Sequence, residues 1–273
     1  MARLRRCGRQ LLLKGSTNRL GRSVPPPKQK ALGEGIGSWA NPPLTTPPRS
    51  ASTLVMARQT PERPQVLLVQ RLTTSAFGAG AWVFPGGAVD ADDSGLLHLY
   101  PALATGMAAR MGLTAAEAAA YLGAAVREAW EETGILIGAM SPTRSTYAAA
   151  ADLPVRRLLE RETSLPDLES IVYVSRWVTP PGQSRRYDTR FFVAEVGGRF
   201  EPRLSSSEHA EARWMRPAEA LQRNEGGEIV MMPPTVHTLR TLREYDSVTA
   251  MLQHLRERPA ESYFPLSAPA TEQ

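Results

Sequence analysis

The chain of 273 residues, with 42% hydrophobic and 7% aromatic residues, has the size and composition of a soluble globular protein of one large domain or two small ones. No apolar run approaches the eighteen or so residues that a membrane helix needs, which excludes a bilayer-spanning protein. The formal net charge of +5 comes from residues 1–33, which hold nine Lys or Arg and no acid. The remaining chain is mildly acidic, so neither a nucleic acid nor a membrane surface is expected as a partner.

Residues 1–50 form a basic, proline-rich opening segment that contains the only cysteine, Cys7. The segment has too few apolar residues to offset its ordering entropy, so we predict a disordered tail. A dispensable tail or a start codon assigned too early is favoured over a transit peptide, although acid-poor, Arg-rich starts are typical of transit peptides. The single cysteine excludes an internal disulfide and indicates a reducing, cytoplasmic compartment.

The first ordered elements are predicted to be strands. Residues 52–58 and 65–71 are short apolar runs around a Pro-Glu-Arg-Pro turn, which is typical of a β-hairpin. A connection rich in glycine then leads into a strand over residues 82–84 that stops at Pro85-Gly86-Gly87. Glycines in such a connection either allow the backbone to approach a ligand closely or form a plain loop.

The next stretch predicts helices. Residues 96–100 and 107–111 could each form a short helix. Thr114 and Glu117 have the spacing of a capping box, and the alanine-rich run that follows has high helix propensity. We therefore predict one helix over residues 115–133 that ends at Gly134.

The rest of the chain alternates between helical and strand patterns. In chain order we predict a helix over 154–163, strands over 171–178 and 191–196, a strand that carries Trp214, a helix over 217–222, one or two helices over 236–256 with Thr235 as the N-cap, and a flexible tail over 259–273. The histidines show no ligand spacing, so we interpret them as structural or exposed: His98, His209, His237 and His254.

The long helix carries the main chemical signal. Glu128, Glu131 and Glu132 share one helix face, whereas Val126, Ala129 and Trp130 lie on the opposite side and can be buried. Three crowded carboxylates repel one another unless a cation lies among them, and hard oxygen ligands suit Mg²⁺ or Mn²⁺. The alternative for an acidic triplet is a solvated helix face.

The residues around this triplet resemble the Nudix box, Gly-x5-Glu-x7-Arg-Glu-U-x-Glu-Glu-x-Gly-U, where U is apolar. The glycine at its start is matched by Gly87, and the second half is matched by Arg127, Glu128, Glu131, Glu132, Gly134 and Ile135. Asp93 stands where the family usually has Glu, and 33 rather than seven residues separate it from Arg127. The chain is therefore similar to Nudix hydrolases with a helical insertion, over residues 94–118, inside the box.

This resemblance implies the Nudix fold, an α/β/α sandwich with a mixed β-sheet, over residues 51–258. It also implies hydrolysis of a diphosphate bond with Mg²⁺ or Mn²⁺ held by Glu128, Glu131, Glu132 and the carbonyl of Gly87. Arg127 would orient one of the carboxylates. In many members a further glutamate precedes a strand with tryptophan and serves as metal ligand or base, and Glu208, or alternatively Glu211, takes this place here.

The substrate expectation comes from a narrower resemblance. The segment from Phe84 to Asp93, the insertion, and the stretches at 176–180 and 186–192 are similar to the peroxisomal acyl-CoA diphosphatase branch. CoA or acyl-CoA is therefore the expected substrate, and ADP-ribose, a dinucleotide such as NADH, or a non-catalytic regulator that only binds nucleotides is the alternative. The oligomeric state is left open, with a homodimer as one option. Expected substrate contacts are Arg71, Gly86, Arg185, Arg186 and Arg190, with Glu131, Glu208 and Arg127 as the catalytic residues.

Overall fold

A computed structural model describes residues 47–75, 78–138, 159–160, 165–197, 200–204 and 208–263. All of them belong to one compact unit, Asn41–Gln273. The predicted disordered segment lies almost wholly outside the described residues, as does most of the helix predicted over 154–163. Both stay predictions.

The architecture is a mixed sheet between two layers of helices, which confirms the α/β fold class. Its strands are β1 (Arg49–Arg58), β2 (Gln65–Arg71), β3 (Trp82–Val83), β4 (Gly86–Ala88), β5 (Val172–Val178), β6 (Tyr187–Glu195), β7 (His209–Met215) and β8 (Glu261–Tyr263). The main order is β3-β2-β1-β6-β5-β8, with β4 paired to β1 and β7 paired to β2. The pairs β1/β6 and β5/β8 are parallel, and the others are antiparallel.

The helices lie in two parts of the chain, one around the insertion and the other in the C-terminal third. A 3-10 helix (Ala91–Gly95) precedes α1 (Leu96–Leu99), α2 (Pro101–Met111) and α3 (Ala115–Thr133), and α4 (Pro217–Glu225), α5 (Pro233–Leu242) and α6 (Val248–Glu257) follow β7. Among the described residues, none of these helices is long and apolar enough to cross a membrane. A cytoplasmic location and a homodimer stay predictions.

Alternation along the central strand separates the two cores. Leu54 and Met56 of β1 pack with α3, whereas Val55 and Ala57 pack with the helices of the C-terminal third. This period of two is what a strand covered on both faces requires. The sheet is therefore held between α1–α3 on one face and α4–α6 on the other.

Local signals set the limits of α3, the helix that carries the acidic residues. Thr114 accepts a hydrogen bond from the Glu117 amide, and the Glu117 carboxylate reaches back to Thr114, which confirms the capping box. Gly134 ends the helix with a left-handed φ of 68°. At Gly123 an added Cβ would lie 2.3 Å from the Asp93 carbonyl oxygen, so the insertion's first turn packs directly on α3.

Two boundary predictions were wrong. Thr235 is not an N-cap, because α5 begins at Pro233, whose missing N–H suits the first helical position, and Met232 precedes it. Residues 261–263 of the predicted flexible tail form β8, because the edge of β5 leaves backbone groups free for pairing.

Candidate active site

The C-terminal half of α3 presents three glutamates toward the turn that precedes β4. Glu132 is buried, with 4% exposure, while the side chains of Glu128 and Glu131 are 14% and 27% exposed. The helix is anchored through Val126, Ala129 and Trp130, which lie in the core. Burial of that face fixes which way the carboxylates project.

The two glycines at the start of β4 bring its backbone into contact with these carboxylates. The Gly86 amide donates a hydrogen bond to Glu132 Oε2 at 3.1 Å. A Cβ on Gly87 would lie 2.2 Å from Glu128 Oε1, and one on Gly86 would lie 2.3 Å from the Ser52 carbonyl oxygen. At Gly86 the clash would be with backbone, so only glycine fits there, whereas a Cβ on Gly87 would displace the Glu128 carboxylate.

Arg127 lies at the centre of the ion-pair network. Its Nε and Nη2 donate to the two oxygens of Asp93 at 2.9 and 3.0 Å, and Nη1 donates to Glu128 at 2.9 Å and to Glu131 at 3.0 Å. Burial would lower the pKa of Arg127, but the hydrogen bond to Asp93 and the charges of Glu128, Asp93 and Glu131 raise it above its usual value. Arg127 is therefore a permanent cation that orients two of the three glutamates.

Asp93 is the acid found where Glu was expected in the box. It is 1% exposed, and its two oxygens form a bidentate pair with Arg127. Asp93, before the insertion, thus contacts Arg127, after it, although 33 residues separate the two in sequence. The insertion leaves this contact across the box intact.

One arginine does not neutralise the carboxylates. Burial raises the pKa of Glu128 to about 7, Arg127 partly opposes the rise, and Glu131 and Glu208 add to it. Burial and the neighbouring Glu128 raise the pKa of Glu132 well above its usual range, and burial raises that of Glu131. The site therefore favours uptake of a positive charge, either a proton or a cation.

A second group of residues approaches Glu132 from the start of β7. The metal-binding atoms of Glu132, Glu208 and His209 all lie within 4.8 Å of one another. Glu208 is exposed, and its carbonyl accepts the Leu72 amide at 3.1 Å. Glu211 instead forms a surface pair with Arg213, so Glu208 is the glutamate of this segment that reaches the site.

Arg71 lies next to this group. It is the partner of His209 across β2 and β7, and its charge acts on both Glu132 and His209. Its Nε is buried and has no hydrogen-bond partner within the described parts of the chain. Of the predicted substrate arginines, Arg71 is the one that the structure brings to the carboxylates.

The other three predicted arginines have different surroundings. Arg190 is 4% exposed, lies over the rings of Tyr121 and Tyr173 and donates to the Tyr173 hydroxyl at 3.1 Å. The register of β6 against β1 turns Arg190 into the protein, which favours a structural role, and its contact with substrate stays a prediction. Arg185 is exposed, and Arg186 donates to the Thr179 carbonyl at 3.1 Å.

His209 was interpreted from sequence as structural or exposed, and the structure places it beside the carboxylates of the candidate site. Its side chain is fully buried, and Nε2 lies 3.6 Å from Glu132 Oε1. Burial, and then the charge of Arg71, lower the pKa of His209 to about 4, so the imidazole is neutral at pH 7. The sequence signal for this placement is that His209 directly follows Glu208, the predicted metal ligand or base. The lack of metal-ligand spacing among the four histidines does not reveal it.

A mixed sheet between helices, with three glutamates of one helix against a Pro-Gly-Gly turn, defines the class as Nudix hydrolase. The crystal structure of a NUDIX hydrolase from Alicyclobacillus acidocaldarius superposes with a TM-score of 0.62 at 28% identity, over 76% of this chain and 96% of that chain. The sequence model of the NUDT19 Nudix domain matches residues 98–242, and the chain belongs to this family.

Curated relatives agree with the family. The chain is 28% identical to "Putative nudix hydrolase 7" of Caenorhabditis elegans over 224 residues, 78% of this chain and 63% of that protein. It is 28% identical to "Acyl-coenzyme A diphosphatase NUDT19" of Gallus gallus, over 78% of this chain and 72% of that protein. The Homo sapiens protein of the same name is 29% identical, over 77% of this chain and 67% of that protein. The chain thus spans less than two thirds of the worm protein.

Proposed function

We propose that the protein hydrolyses the diphosphate bond of CoA or acyl-CoA, giving 3′,5′-ADP and (acyl-)phosphopantetheine, in the presence of Mg²⁺ or Mn²⁺. The observation that carries the proposal is the packing of Glu128, Glu131 and Glu132 against Gly86 and Gly87. The relatives named acyl-coenzyme A diphosphatase support the substrate class.

The side chains present fit a divalent cation. Burial raises the pKa values of all three glutamates and neighbouring carboxylates add to the rise, so a cation bound among them would be stabilising. Carboxylate oxygens, together with the carbonyl of Gly87, are the ligands that Mg²⁺ and Mn²⁺ prefer. When bound, such an ion neutralises diphosphate oxygens and lowers the pKa of a water molecule.

The chain's own residues orient the carboxylates of the site. Arg127 holds Glu128 and Glu131 through one nitrogen and is itself held by Asp93, so both carboxylates keep one orientation. The Gly86 amide does the same for Glu132. Glu131 and Glu208 are the more accessible carboxylates at the site, and we assign to this pair the acceptance of the proton of the attacking water.

Arginines account for the preference for CoA over simpler ADP compounds. CoA carries a 3′-phosphate that needs a cationic partner, and the partly buried Arg71 lies beside the carboxylates, where its charge acts on Glu132. Arg185 is the exposed alternative. One charge-assisted hydrogen bond contributes about 1.5–3 kcal/mol, so CoA should exceed dephospho-CoA by about 10- to 150-fold in kcat/KM.

The test is a substrate panel of CoA, dephospho-CoA, ADP-ribose and NADH, each with Mg²⁺ and with Mn²⁺. We expect CoA to have the highest kcat/KM. Arg71→Gln should reduce the ratio of kcat/KM for CoA to kcat/KM for dephospho-CoA more than Arg185→Gln does. This comparison shows which arginine contacts the 3′-phosphate. Equal rates on CoA and dephospho-CoA would remove the 3′-phosphate argument.

The panel also separates the alternatives. A preference for ADP-ribose or NADH would assign the protein to the pyrophosphatases of those compounds. Binding of the compounds without hydrolysis of any of them would identify a nucleotide-binding regulator.

A further inference from the structure

His209 is a buried polar side chain with no visible partner. Its exposure is 0%, and neither Nδ1 nor Nε2 has a hydrogen-bond partner among the residues described. Burying an imidazole in this way is unfavourable unless something binds to it, and such groups in a native protein need an explanation. The ring is close to a carboxylate but beyond hydrogen-bond distance, with Nε2 3.6 Å from Glu132 Oε1.

Glu132 connects this histidine to the Nudix box. Its Oε2 accepts the Gly86 amide at 3.1 Å, so that oxygen faces the turn. Its Oε1 lies 3.6 Å from His209 Nε2, and a carboxylate oxygen of Glu132 lies within 4.8 Å of a donor atom of Glu208. The two oxygens of the Glu132 carboxylate thus face different groups. Oε2 faces the Gly86 amide, and Oε1 faces the His209 imidazole nitrogen.

The group of Glu132, Glu208 and His209 has nearly the dimensions of a coordination sphere. The three donor atoms lie within 4.8 Å of one another, and opposite ligands of a Mg²⁺-sized ion are about 4.2 Å apart. Glu208 is exposed at the start of β7, so a change of rotamer can bring its carboxylate closer. A neutral imidazole has one lone pair to offer, and Nε2 is the nitrogen near the carboxylates.

We propose that His209 is a nitrogen ligand of a divalent cation that Glu132 and Glu208 also hold, and that it makes the enzyme prefer Mn²⁺ to Mg²⁺. The inference rests on the metal-dependent function proposed above. Both ions prefer oxygen ligands, but Mn²⁺, as a first-row transition-metal ion, accepts one imidazole nitrogen among them more readily than Mg²⁺ does. A mixed set of two carboxylates and one imidazole therefore selects a transition-metal ion over Mg²⁺.

The experiment is electron spin echo spectroscopy of Mn²⁺ bound to the full chain, which detects a directly coordinated ¹⁴N nucleus. We expect a ¹⁴N coupling in the wild-type protein and its loss in His209→Gln, whose amide oxygen can replace the ligand but whose nitrogen cannot. The matched control is His254→Gln, the same substitution at an exposed histidine on α6, which should keep the coupling.

Affinity provides the second readout. Titration of His209→Gln with Mn²⁺, followed by the free-ion signal, should show a Kd about tenfold or more above wild type. Competition with Mg²⁺ should show a change of less than about threefold for that ion. The preference for Mn²⁺ over Mg²⁺ should therefore fall, and circular dichroism should show that the variant remains folded.

The outcomes distinguish this inference from the proposed function. Bound Mn²⁺ without a ¹⁴N coupling in the wild-type protein would overturn the inference alone, and would leave His209 as a group that orients Glu132. A coupling that His209→Gln does not remove would also overturn it. A coupling together with no hydrolysis of CoA would overturn only the substrate proposal, and absence of Mn²⁺ binding would overturn both.

Discussion

Glu128→Gln should stabilise the metal-free protein at alkaline pH. Burial raises the pKa of Glu128 from its ordinary 4.5 to about 7, so the folded state binds the proton more tightly than the unfolded state does. The contribution of Glu128 to the free energy of unfolding is therefore fully present below pH 4.5 and is lost as the pH rises through 7. At pH 8 the charged form costs about 3 kcal/mol. Glutamine removes the charge and keeps an oxygen that can accept the hydrogen bond from Arg127.

Thermal unfolding in EDTA measures this effect. For a domain of about 200 residues, 3 kcal/mol corresponds to a rise in Tm of about 6–12 °C at pH 8, and the difference should shrink to below about 1 kcal/mol at pH 5. Glu225→Gln, at the exposed end of α4, is the matched control and should show neither change. A Glu128→Gln protein that melts at or below the wild-type temperature at pH 8 would refute the electrostatic account of the site.

Three further substitutions test individual contacts. Asp93→Ala leaves the buried Arg127 without its bidentate partner and should lower the free energy of unfolding by about 3–5 kcal/mol in urea, and an unchanged midpoint would contradict this. Gly87→Ala places a Cβ 2.2 Å from Glu128 Oε1 and should lower kcat at least about tenfold, whereas Gly197→Ala, which meets no atom within 4 Å, should leave it unchanged. Arg110→Ala removes hydrogen bonds from α2 to the carbonyls of Tyr173, Leu255, Arg256 and Arg258 and should cost about 2–3 kcal/mol in calorimetry, with partial recovery in Arg110→Lys. Equal melting of wild type and Arg110→Ala would show that the insertion is not held to α6 by this residue.

The features that were predictable from sequence have local causes. The limits of α3 follow from a capping box at Thr114 and a left-handed glycine at position 134, both encoded within a few residues. The β1/β2 hairpin follows from two apolar runs around a short turn. The three glutamates share a face because the helical repeat requires it.

The features that were missed depend on strand pairing over long distances. Arg190 faces the helices because β6 pairs with β1 in a register that aligns it with Ser52, and two adjacent phenylalanines hide the alternation. His209 reaches Glu132 because β7 pairs with β2, which places it opposite Arg71. The role of Asp93 was hidden by the insertion, because the contact with Arg127 forms only when the 3-10 helix packs on α3.

The most direct test of the central claim is the turnover of Glu131→Gln and Glu132→Gln on CoA at saturating Mg²⁺ or Mn²⁺. Both carboxylates are assigned to the catalytic centre, and Gln keeps their size, so we predict a fall in kcat of at least about 10²-fold with the fold retained by circular dichroism. Glu225→Gln should retain wild-type turnover. Normal kcat in both variants would contradict the assignment of the α3 carboxylates as the active site.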